Sequence, residues 1–429
     1  MTPDISTALA LPCGAVLPNR LCKAALTEGL ADSMNRSTPE LERLYRAWSH
    51  GGAGLVITGN VQIDRRYLER PGNVVIDRNG GIDALRRYAT AGTEAGNHLW
   101  MQINHPGRQT PRHVCTEPVG PSAIPLALKG DHYLPPRAMT EAEIHDVISR
   151  FAHVCVVARA TGFTGVQIHA AHGYLLSQFL SPLANHRQDD WGGSLENRAR
   201  LLRDVVRACK AAAGQDFPVG VKLNSSDFQQ GGFSAEDCLQ VVRWLGDDGV
   251  DLLELSGGNY EQPSMMGVRG IKGAAPSGNA AQPTVAQAPV EQAAARPVAE
   301  STARREAYFM EYARSMRTVT TMPVMVTGGF RTLVAMNDAL ASGELDVIGL
   351  GRPMCVDVDL PAQLLGGQTT EAVSYERTID PPKAGLAWFC LQIMRIGQGE
   401  EPDRSLSGVQ AMQDYDTSET AAAQALSGR

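Results

Sequence analysis

Residues 140–170, TEAEIHDVISRFAHVCVVARATGFTGVQIHA, contain one helical pattern followed by one buried strand. In the helical part, Thr140 and Glu143 have the spacing of a capping box, and Gly162 ends the apolar periodicity. The last six residues, GVQIHA (165–170), form a short apolar run that is typical of a parallel strand covered on both faces. We take this helix and strand as the unit whose repetition decides the fold.

Similar short apolar runs, rich in branched residues, recur along the chain, and amphipathic helical patterns separate them. Eight strands alternating with helices predict a (β/α)₈ TIM barrel within the α/β class. A doubly wound open sheet is the alternative, but no G-x-G-x-x-G turn follows the first strand, which weakens it. The eight runs are RLCKAAL (20–26), GLVITGN (54–60), HLWMQIN (98–104), GVQIHA (165–170), PVGVKLN (218–224), DLLELS (251–256), PVMVTG (323–328) and DVIGLG (346–351).

The chain is predicted to comprise a barrel over residues 1–366 and a C-terminal extension over residues 367–429. Residues 267–300, after the sixth strand, are rich in Ala, Pro, Gln and Gly and contain no aromatic residue. Such a composition predicts a flexible low-complexity insertion, either a lid over the catalytic face or an inert loop. The polar, Ala-rich tail beyond Gly399 is expected to be loosely held and partly disordered.

The bulk composition excludes several classes of protein. The 429 residues carry a net charge of -7, which argues against a nucleic-acid binder or a protein of anionic membranes. No apolar run is long enough to span a bilayer, and the first residues lack the basic leader of a signal peptide. Eight cysteines occur without a CxxC pair, which disfavours zinc ribbons and iron–sulfur clusters and favours a reducing, cytoplasmic location. The expected partner is a small-molecule substrate, and a homo-oligomer is left open.

Chemistry in this fold takes place at the carboxyl ends of the strands, so the residues that end each strand are the candidates for a site. Two glycine-rich turns, TGGFR and GLGRP, follow the seventh and eighth strands. Backbone N–H groups at such turns bind phosphate, and an arginine adds a forked cation. The predicted phosphate site therefore consists of Gly328, Gly329, Gly351 and Arg352.

Gln102 and Lys222 are polar residues near the ends of otherwise apolar strands. A lysine in this place is a Schiff-base nucleophile, a counter-charge for a bound anion or a salt-bridged structural residue. A planar, phosphate-bearing cofactor across the barrel would need a donor such as Gln102 for its carbonyl edge. It would also need a positive charge such as Lys222 where anionic character collects on reduction.

The fourth strand runs into His169, His172 and Tyr174, within the sequence HAAHGY. A metal pair usually has a spacing of four on a helix together with a third ligand, and here the spacing is three. Ordinary packing is a second interpretation. A third is a pair of imidazole donors that stabilises negative charge on a substrate oxygen, with Tyr174 as a nearby proton donor.

These strand ends resemble one known family. HAAHGYLLSQFLSPLANHRQDDWGGSLENRARLL (169–202) is similar to the signature of the old yellow enzyme family of FMN-dependent oxidoreductases. The similarity extends over residues 11–366, interrupted by the insertion at 267–300. The other matching segments are NRLCKAALTEGLAD, WMQINHPGRQ, GVKLNSSDF, ELSGGNYEQP, MVTGGFR and GLGRPM.

The resemblance implies a non-covalently bound FMN, with NADH or NADPH as the hydride donor and an activated alkene as the substrate. His169 and His172 would bind the carbonyl oxygen of an α,β-unsaturated compound, and Tyr174 would protonate its α-carbon. The implied flavin contacts are the backbone of Ala24, Ala25 and Leu26, the Thr27 hydroxyl, Gly59, Gln102 and Lys222, with Gly328, Gly329, Gly351 and Arg352 around the phosphate.

Two departures define the branch. Threonine stands at position 27, where another branch has cysteine, and the cysteine run of the larger iron–sulfur relatives is absent. The resemblance therefore implies a single-barrel reductase whose electrons arrive directly from the nicotinamide. Two alternatives stay open, a metal-assisted barrel hydrolase that uses His169 and His172, and a barrel that binds flavin without catalysis.

Overall fold

The computed structural model describes residues 2–128, 130–258, 260–261 and 312–427. Within these ranges, eight parallel strands form a closed ring, because the last strand pairs with the first and the first pairs with the second. The (β/α)₈ prediction is confirmed, whereas the predicted insertion at 267–300 lies outside the described residues. The strands are β1 (Leu21–Lys23), β2 (Leu55–Gln62), β3 (His98–Asn104), β4 (Gly165–Ala170), β5 (Val219–Asn224), β6 (Leu252–Ser256), β7 (Val324–Thr327) and β8 (Val347–Leu350).

Helices follow the strands and cover the outside of the ring. The predicted capping box begins α3, where the Thr140 hydroxyl accepts from the Glu143 backbone and the Glu143 carboxylate accepts from Thr140 N–H. Gly162, at φ 99°, ends that helix as expected. No helix in the described ranges has both the length and the apolar content to cross a bilayer. The surrounding helices are α1 (Pro39–His50), α2 (Ile82–Gly92), α3 (Glu141–Thr161), α4 (Leu195–Ala213), α5 (Ala235–Asp247), α6 (residues 312–317), α7 (Leu333–Ala341) and α8 (Leu360–Leu365).

The amino-terminal half of the barrel interior is filled by apolar side chains. Trp100 is fully buried there, and a Cβ on Gly165 or Gly220 would overlap its indole. A hairpin of Leu9–Ala10 and Val16–Leu17 packs its leucines against the same cluster. This packing closes one end of the barrel, so the polar interior side chains are left at the carboxyl ends of the strands.

The C-terminal extension corrects one expectation. Beyond α9 (Gly385–Gln398), the segment predicted to be loosely held forms a further helix, α10 (Gly408–Ser427). Its Glu419 forms an ion pair with the buried Arg70 of the loop after β2, and its Tyr415 ring lies 5.1 Å from that guanidinium. The expectation was wrong because α10 is stabilised by long-range contacts, which a polar, Ala-rich composition does not reveal.

Candidate active site

A buried polar network crosses the barrel at the level where three strands are in register. Lys222 of β5 pairs with His169 of β4 on one side and with Glu254 of β6 on the other. Lys222 Nζ lies 2.9 Å from Glu254 Oε1, and the Glu254 side chain is fully buried. Gln167 Nε2 donates to Glu254 Oε2 at 2.7 Å, and Gln102 Nε2 donates to Gln167 Oε1 at 2.6 Å.

The network argues against one of the three interpretations of Lys222, the Schiff-base nucleophile. A Schiff-base lysine must be neutral to act as a nucleophile, whereas this ammonium is held against a buried carboxylate. Thr327 Oγ1 also donates to Glu254 Oε1, at 2.7 Å, so the carboxylate is compensated from β4, β5 and β7. Lys222 is therefore a fixed, paired cation at the barrel mouth, and its contact with a flavin stays a prediction.

The two predicted histidines and the tyrosine are close together at the end of β4. The ring centroids of His169 and His172 lie 5.0 Å apart, and those of His169 and Tyr174 lie 4.8 Å apart. His169 Nδ1 accepts a hydrogen bond from Ala171 N–H at 3.2 Å. A neutral ring with a lone pair on Nδ1 carries its proton on Nε2, so His169 presents an Nε2–H donor.

His172 is held by contacts from two other strands. Its backbone N–H donates to Asn224 Oδ1 at 3.1 Å, and its Nε2 lies 2.6 Å from Ser256 Oγ. Its φ of 60° places the residue in the left-handed region, and Gly173 follows at 75°. This turn directs the chain out of β4 and into the short helix Leu175–Leu180.

Both imidazoles are neutral at ordinary pH. Burial, followed by the charge of Lys222, lowers the pKa of His172 to about 3. Burial, followed by His172 and Lys222, holds the pKa of His169 well below its usual value. Two neutral imidazoles can donate hydrogen bonds to a substrate oxygen without carrying a positive charge into the site.

Tyr174 lies in a buried cluster of phenols. Its hydroxyl is 2.8 Å from the hydroxyl of Tyr260, and its side chain is almost fully buried. Burial, followed by the negative charge of Glu69, raises the pKa of Tyr174 well above the usual value. The phenol is therefore protonated throughout the physiological range.

Glu69 brings a carboxylate to the same mouth. Its Oε2 accepts from Thr27 Oγ1 at 3.0 Å, from Asn60 Nδ2 at 3.2 Å and from Asn73 Nδ2 at 3.3 Å. The hydroxyl of Thr27, predicted to lie beside a flavin carbonyl, is thus directed to this carboxylate. Its proximity to the cofactor stays a prediction.

The segment after β1 packs against the end of β2. Ala24 N–H donates to the Leu350 carbonyl at 2.9 Å, while Ala25 and Leu26 are partly exposed. Gly59 N–H donates to Glu28 Oε1 at 2.8 Å, and a Cβ at Gly59 would overlap the same carboxylate. Gly59 therefore allows the two strand ends to approach closely, and its contact with a ring edge stays a prediction.

The two glycine turns, predicted to hold a phosphate, leave open space beside their backbones. Gly328 and Gly329 have φ values of 99° and 90°, and Gly328 N–H reaches the carbonyl of Gly349 on β8 at 3.4 Å. A Cβ built on Gly328 or on Gly351 would meet no atom within 4 Å, so space is open beside both backbones. Arg352 begins the next turn, and its Nη2 lies 3.8 Å from Glu376 Oε1.

These donors fit FMN by their chemistry. Open glycine turns beside an arginine suit a phosphate, and buried amide and ammonium groups suit the polar edge of a planar ring. The structure brings His169, His172, Tyr174, Gln102 and Lys222 together at one end of the barrel. Gly328 and Gly351 end the neighbouring strands at that same end.

Sequence reasoning missed four participants, Gln167, Glu254, Glu69 and Tyr260. The first two could have been found, because Gln167 precedes His169 by two residues and Glu254 precedes Ser256 by two. Alternate residues of a strand share a face, so both side chains had to point into the barrel. Tyr260 lies inside the quoted segment ELSGGNYEQP, and Glu69 had no signal in the sequence.

Comparison with known proteins agrees with this geometry. The model of the NADH:flavin oxidoreductase / NADH oxidase family matches residues 14–266. An NADH-dependent flavin oxidoreductase of Hypocrea jecorina is 32% identical over 410 residues, which cover 90% of this chain and 95% of that protein. Another, from Neonectria sp., is 35% identical over 383 residues, covering 85% of this chain, and the match spans only 47% of its own length.

A solved structure, the old yellow enzyme homologue from Zymomonas mobilis, superposes on this fold. The TM-score is 0.67 at 24% identity, and the match covers 86% of this chain and 94% of that one. At this identity the likeness shows the fold alone. The sequence matches carry the assignment further, and the chain therefore belongs to the NADH:flavin oxidoreductase / NADH oxidase family, as the resemblance to old yellow enzymes predicted.

Proposed function

We propose that this protein is an FMN-dependent ene-reductase that uses NADH or NADPH to reduce the activated C=C bond of an α,β-unsaturated carbonyl compound. One observation carries the proposal. The neutral imidazoles of His169 and His172 lie beside the buried phenol of Tyr174. The ring centroid of His169 is 5.0 Å from that of His172 and 4.8 Å from that of Tyr174. Donors and acid of this kind are what reduction of a conjugated carbonyl needs from a protein.

FMN would be held by groups from several strands and would supply hydride transfer between the nicotinamide and the alkene. The backbones of Gly328, Gly329 and Gly351, with Arg352, would hold its phosphate. Lys222 would lie near the ring edge that becomes anionic on reduction, and Gln102 would donate to the same ring. The chain from Ala24 to Thr27 would line the remaining edge.

His169 and His172 bind the carbonyl oxygen of the substrate in this proposal. Negative charge develops on that oxygen when the β-carbon is reduced, and two N–H donors stabilise the charge as an oxyanion hole does. The neutral state of both rings is useful, since a neutral donor keeps its proton and leaves the developing enolate to be protonated elsewhere. The same pair would orient a nicotinamide amide.

Tyr174 supplies the proton to the α-carbon. Its O–H bond breaks as the new C–H bond forms, and the electron pair of the O–H bond stays on the phenol oxygen. Because the ring lies at the amino end of the short helix Leu175–Leu180, its backbone position is fixed relative to His169. A positioned general acid contributes roughly 10²-fold or more to such a step.

The metal-hydrolase alternative has less support. Among the residues that the structure describes, no three His, Cys, Asp or Glu side chains converge as a metal ion would require. The residue in register with His169 on the next strand is Lys222, a cation. A cytoplasmic location and a homo-oligomeric state stay predictions.

Anaerobic single-turnover kinetics test the proposal. NADH or NADPH should bleach the flavin of the FMN-loaded protein, and a panel of enones, enals and nitroalkenes should restore its colour. Tyr174→Phe should slow the second step by roughly 10²-fold and leave the first within about twofold. Tyr375→Phe is the matched control, because the Tyr375 hydroxyl donates to Asp357, outside the site. The proposal fails if neither nicotinamide bleaches the flavin or no alkene reoxidises it.

A further inference from the structure

Tyr260 is a partly buried phenol at the site that the reaction above does not use. It follows β6, and its hydroxyl is 2.8 Å from the hydroxyl of Tyr174. The two rings meet edge to face, with centroids 5.9 Å apart and an interplanar angle of 72°. Within the residues described, this places a second hydroxyl next to the proposed acid.

The loop that carries Tyr260 is anchored through the following residue. Glu261 Oε2 lies 2.8 Å from Arg108 Nη2, and both side chains are largely buried. Glu261 Oε1 accepts from Ala127 N–H at 2.7 Å. Both partners belong to the connection between β3 and α3, so the residue next to Tyr260 is tied to the barrel.

Loss of the Tyr174 proton creates a difficulty that Tyr260 can resolve. The phenolate left behind would be buried and would lie near the Glu69 carboxylate, and both conditions disfavour a second negative charge. A hydroxyl at 2.8 Å can donate to that phenolate, and hydrogen bonds to ions are about twice as strong as neutral ones.

We propose that Tyr260 is a positioning residue for proton donation, whose hydroxyl donates to the Tyr174 oxygen, aims the Tyr174 proton at the substrate and stabilises the phenolate after transfer. The proposal rests on the function proposed above. Tyr174 then regains its proton from solvent after product has left. Until that happens, the Tyr260 hydroxyl donates to the Tyr174 phenolate. No oxidant or reductant beyond the proposed reaction is needed.

Either hydroxyl can donate in this contact, and the negative charge of the Tyr174 phenolate makes Tyr260 the donor after proton transfer. Burial raises the pKa of Tyr174, and a hydrogen bond donated by Tyr260 acts in the opposite sense and lowers it. With Tyr260 as the donor, Tyr174 is a stronger acid than it would be without this neighbour. Asn60 acts in the same sense on Tyr174.

A double-mutant cycle on the FMN-loaded enzyme tests the inference. Tyr260→Phe should slow alkene reduction about tenfold, the equivalent of one strong hydrogen bond. In the Tyr174→Phe background the same substitution should change the rate by less than about twofold, because Tyr260 acts only through Tyr174. Equal effects in both backgrounds would overturn the inference.

Three further measurements separate this role from a structural one. The fall in alkene-reduction rate at high pH should move to higher pH in Tyr260→Phe, since Tyr174 becomes a weaker acid. Phenol binding at the imidazole pair and the melting temperature of the FMN-free protein should stay unchanged. A lower rate with no displacement of the pH profile, or weakened phenol binding, would instead indicate a damaged loop and contradict the inference.

The two proposals fail in different ways. If the unsubstituted enzyme reduces no alkene, the proposed function is wrong. If it reduces alkenes and Tyr174→Phe slows the step, but Tyr260→Phe has no effect, then only the role of Tyr260 is wrong. Tyr375→Phe again controls for the loss of one phenol hydroxyl elsewhere.

Discussion

Ser256 Oγ and His172 Nε2 lie 2.6 Å apart, and this contact joins the end of β6 to the turn after β4. The contact occupies one ring nitrogen of His172, so it fixes which nitrogen is left to face the barrel mouth. A ring that could rotate would donate to a substrate oxygen only part of the time. Ser256 is therefore placed to determine the orientation of one of the two proposed donors.

We expect Ser256→Ala to weaken phenol binding about fivefold, the value of one ordinary hydrogen bond of about 1 kcal/mol. Phenols mimic the enolate oxygen, and their dissociation constant can be measured from the change in flavin absorbance. Ser256→Thr retains the hydroxyl and should bind phenols within about twofold of the unsubstituted protein. Unchanged affinity in Ser256→Ala would mean that Asn224 and the Gly173 turn suffice to orient His172.

Lys222 and Glu254 give a prediction about stability that is separate from catalysis. Lys222→Met leaves the fully buried carboxylate of Glu254 without its cation, which should cost about 3–5 kcal/mol. Lys222→Met with Glu254→Gln removes both charges and should recover most of that loss. The measurement is urea unfolding of the FMN-free protein.

The same two variants should differ from the unsubstituted protein in FMN affinity. Both lack the cation near the proposed ring edge, so both should bind FMN more weakly, even where stability is recovered. A double variant as unstable as Lys222→Met would show that the ion pair is not the source of the loss. Full FMN affinity in the double variant would remove Lys222 from the flavin site.

Much of this architecture could be predicted from the sequence, and the parts that could not share a physical cause. The strands were found because buried parallel strands are near-continuous apolar runs, and strand ends such as His169 and Lys222 follow from the fold. Register across strands is not visible in one sequence, so the pairing of Lys222 with Glu254 was missed. The contact of Arg70 with Glu419 joins residues 349 positions apart in the sequence, and composition alone predicted a loose tail where α10 forms.

The open space beside Gly351 predicts a selective loss of cofactor binding. A Cβ there would meet no atom within 4 Å, but φ of -104° with ψ of -101° lies outside the main allowed regions for residues other than glycine, so alanine should cost about 1–3 kcal/mol of backbone strain. If the phosphate occupies that space, Gly351→Ala should weaken FMN binding at least tenfold when both proteins are compared well below the lowered melting temperature of the variant. Equilibrium quenching of flavin fluorescence measures the affinity.

Gly385 provides the matched control for that experiment. It also has a negative φ, of -54°, and open space at its Cβ position, but it lies at the start of α9, away from the glycine turns. Gly385→Ala should leave FMN affinity unchanged, and alanine in a helix should stabilise the protein slightly. Equal FMN affinity in both variants would contradict the phosphate site at Gly351.

The low pKa of His172 predicts how stability and binding depend on pH. Between the ordinary value near 6.5 and the folded value of about 3, the unfolded chain takes up a proton that the folded protein does not. Stability therefore falls as the pH falls through this window, and His172 alone should account for about 2 kcal/mol between pH 7 and pH 5. His172→Asn should lose that part of the pH dependence. Urea unfolding of both proteins at the two pH values measures the difference.

Because both imidazoles stay neutral in the folded protein, we expect phenol affinity to be constant from pH 5 to pH 8. A decline near pH 6.5 that His172→Asn abolishes would show instead that the His172 ring titrates in the folded protein.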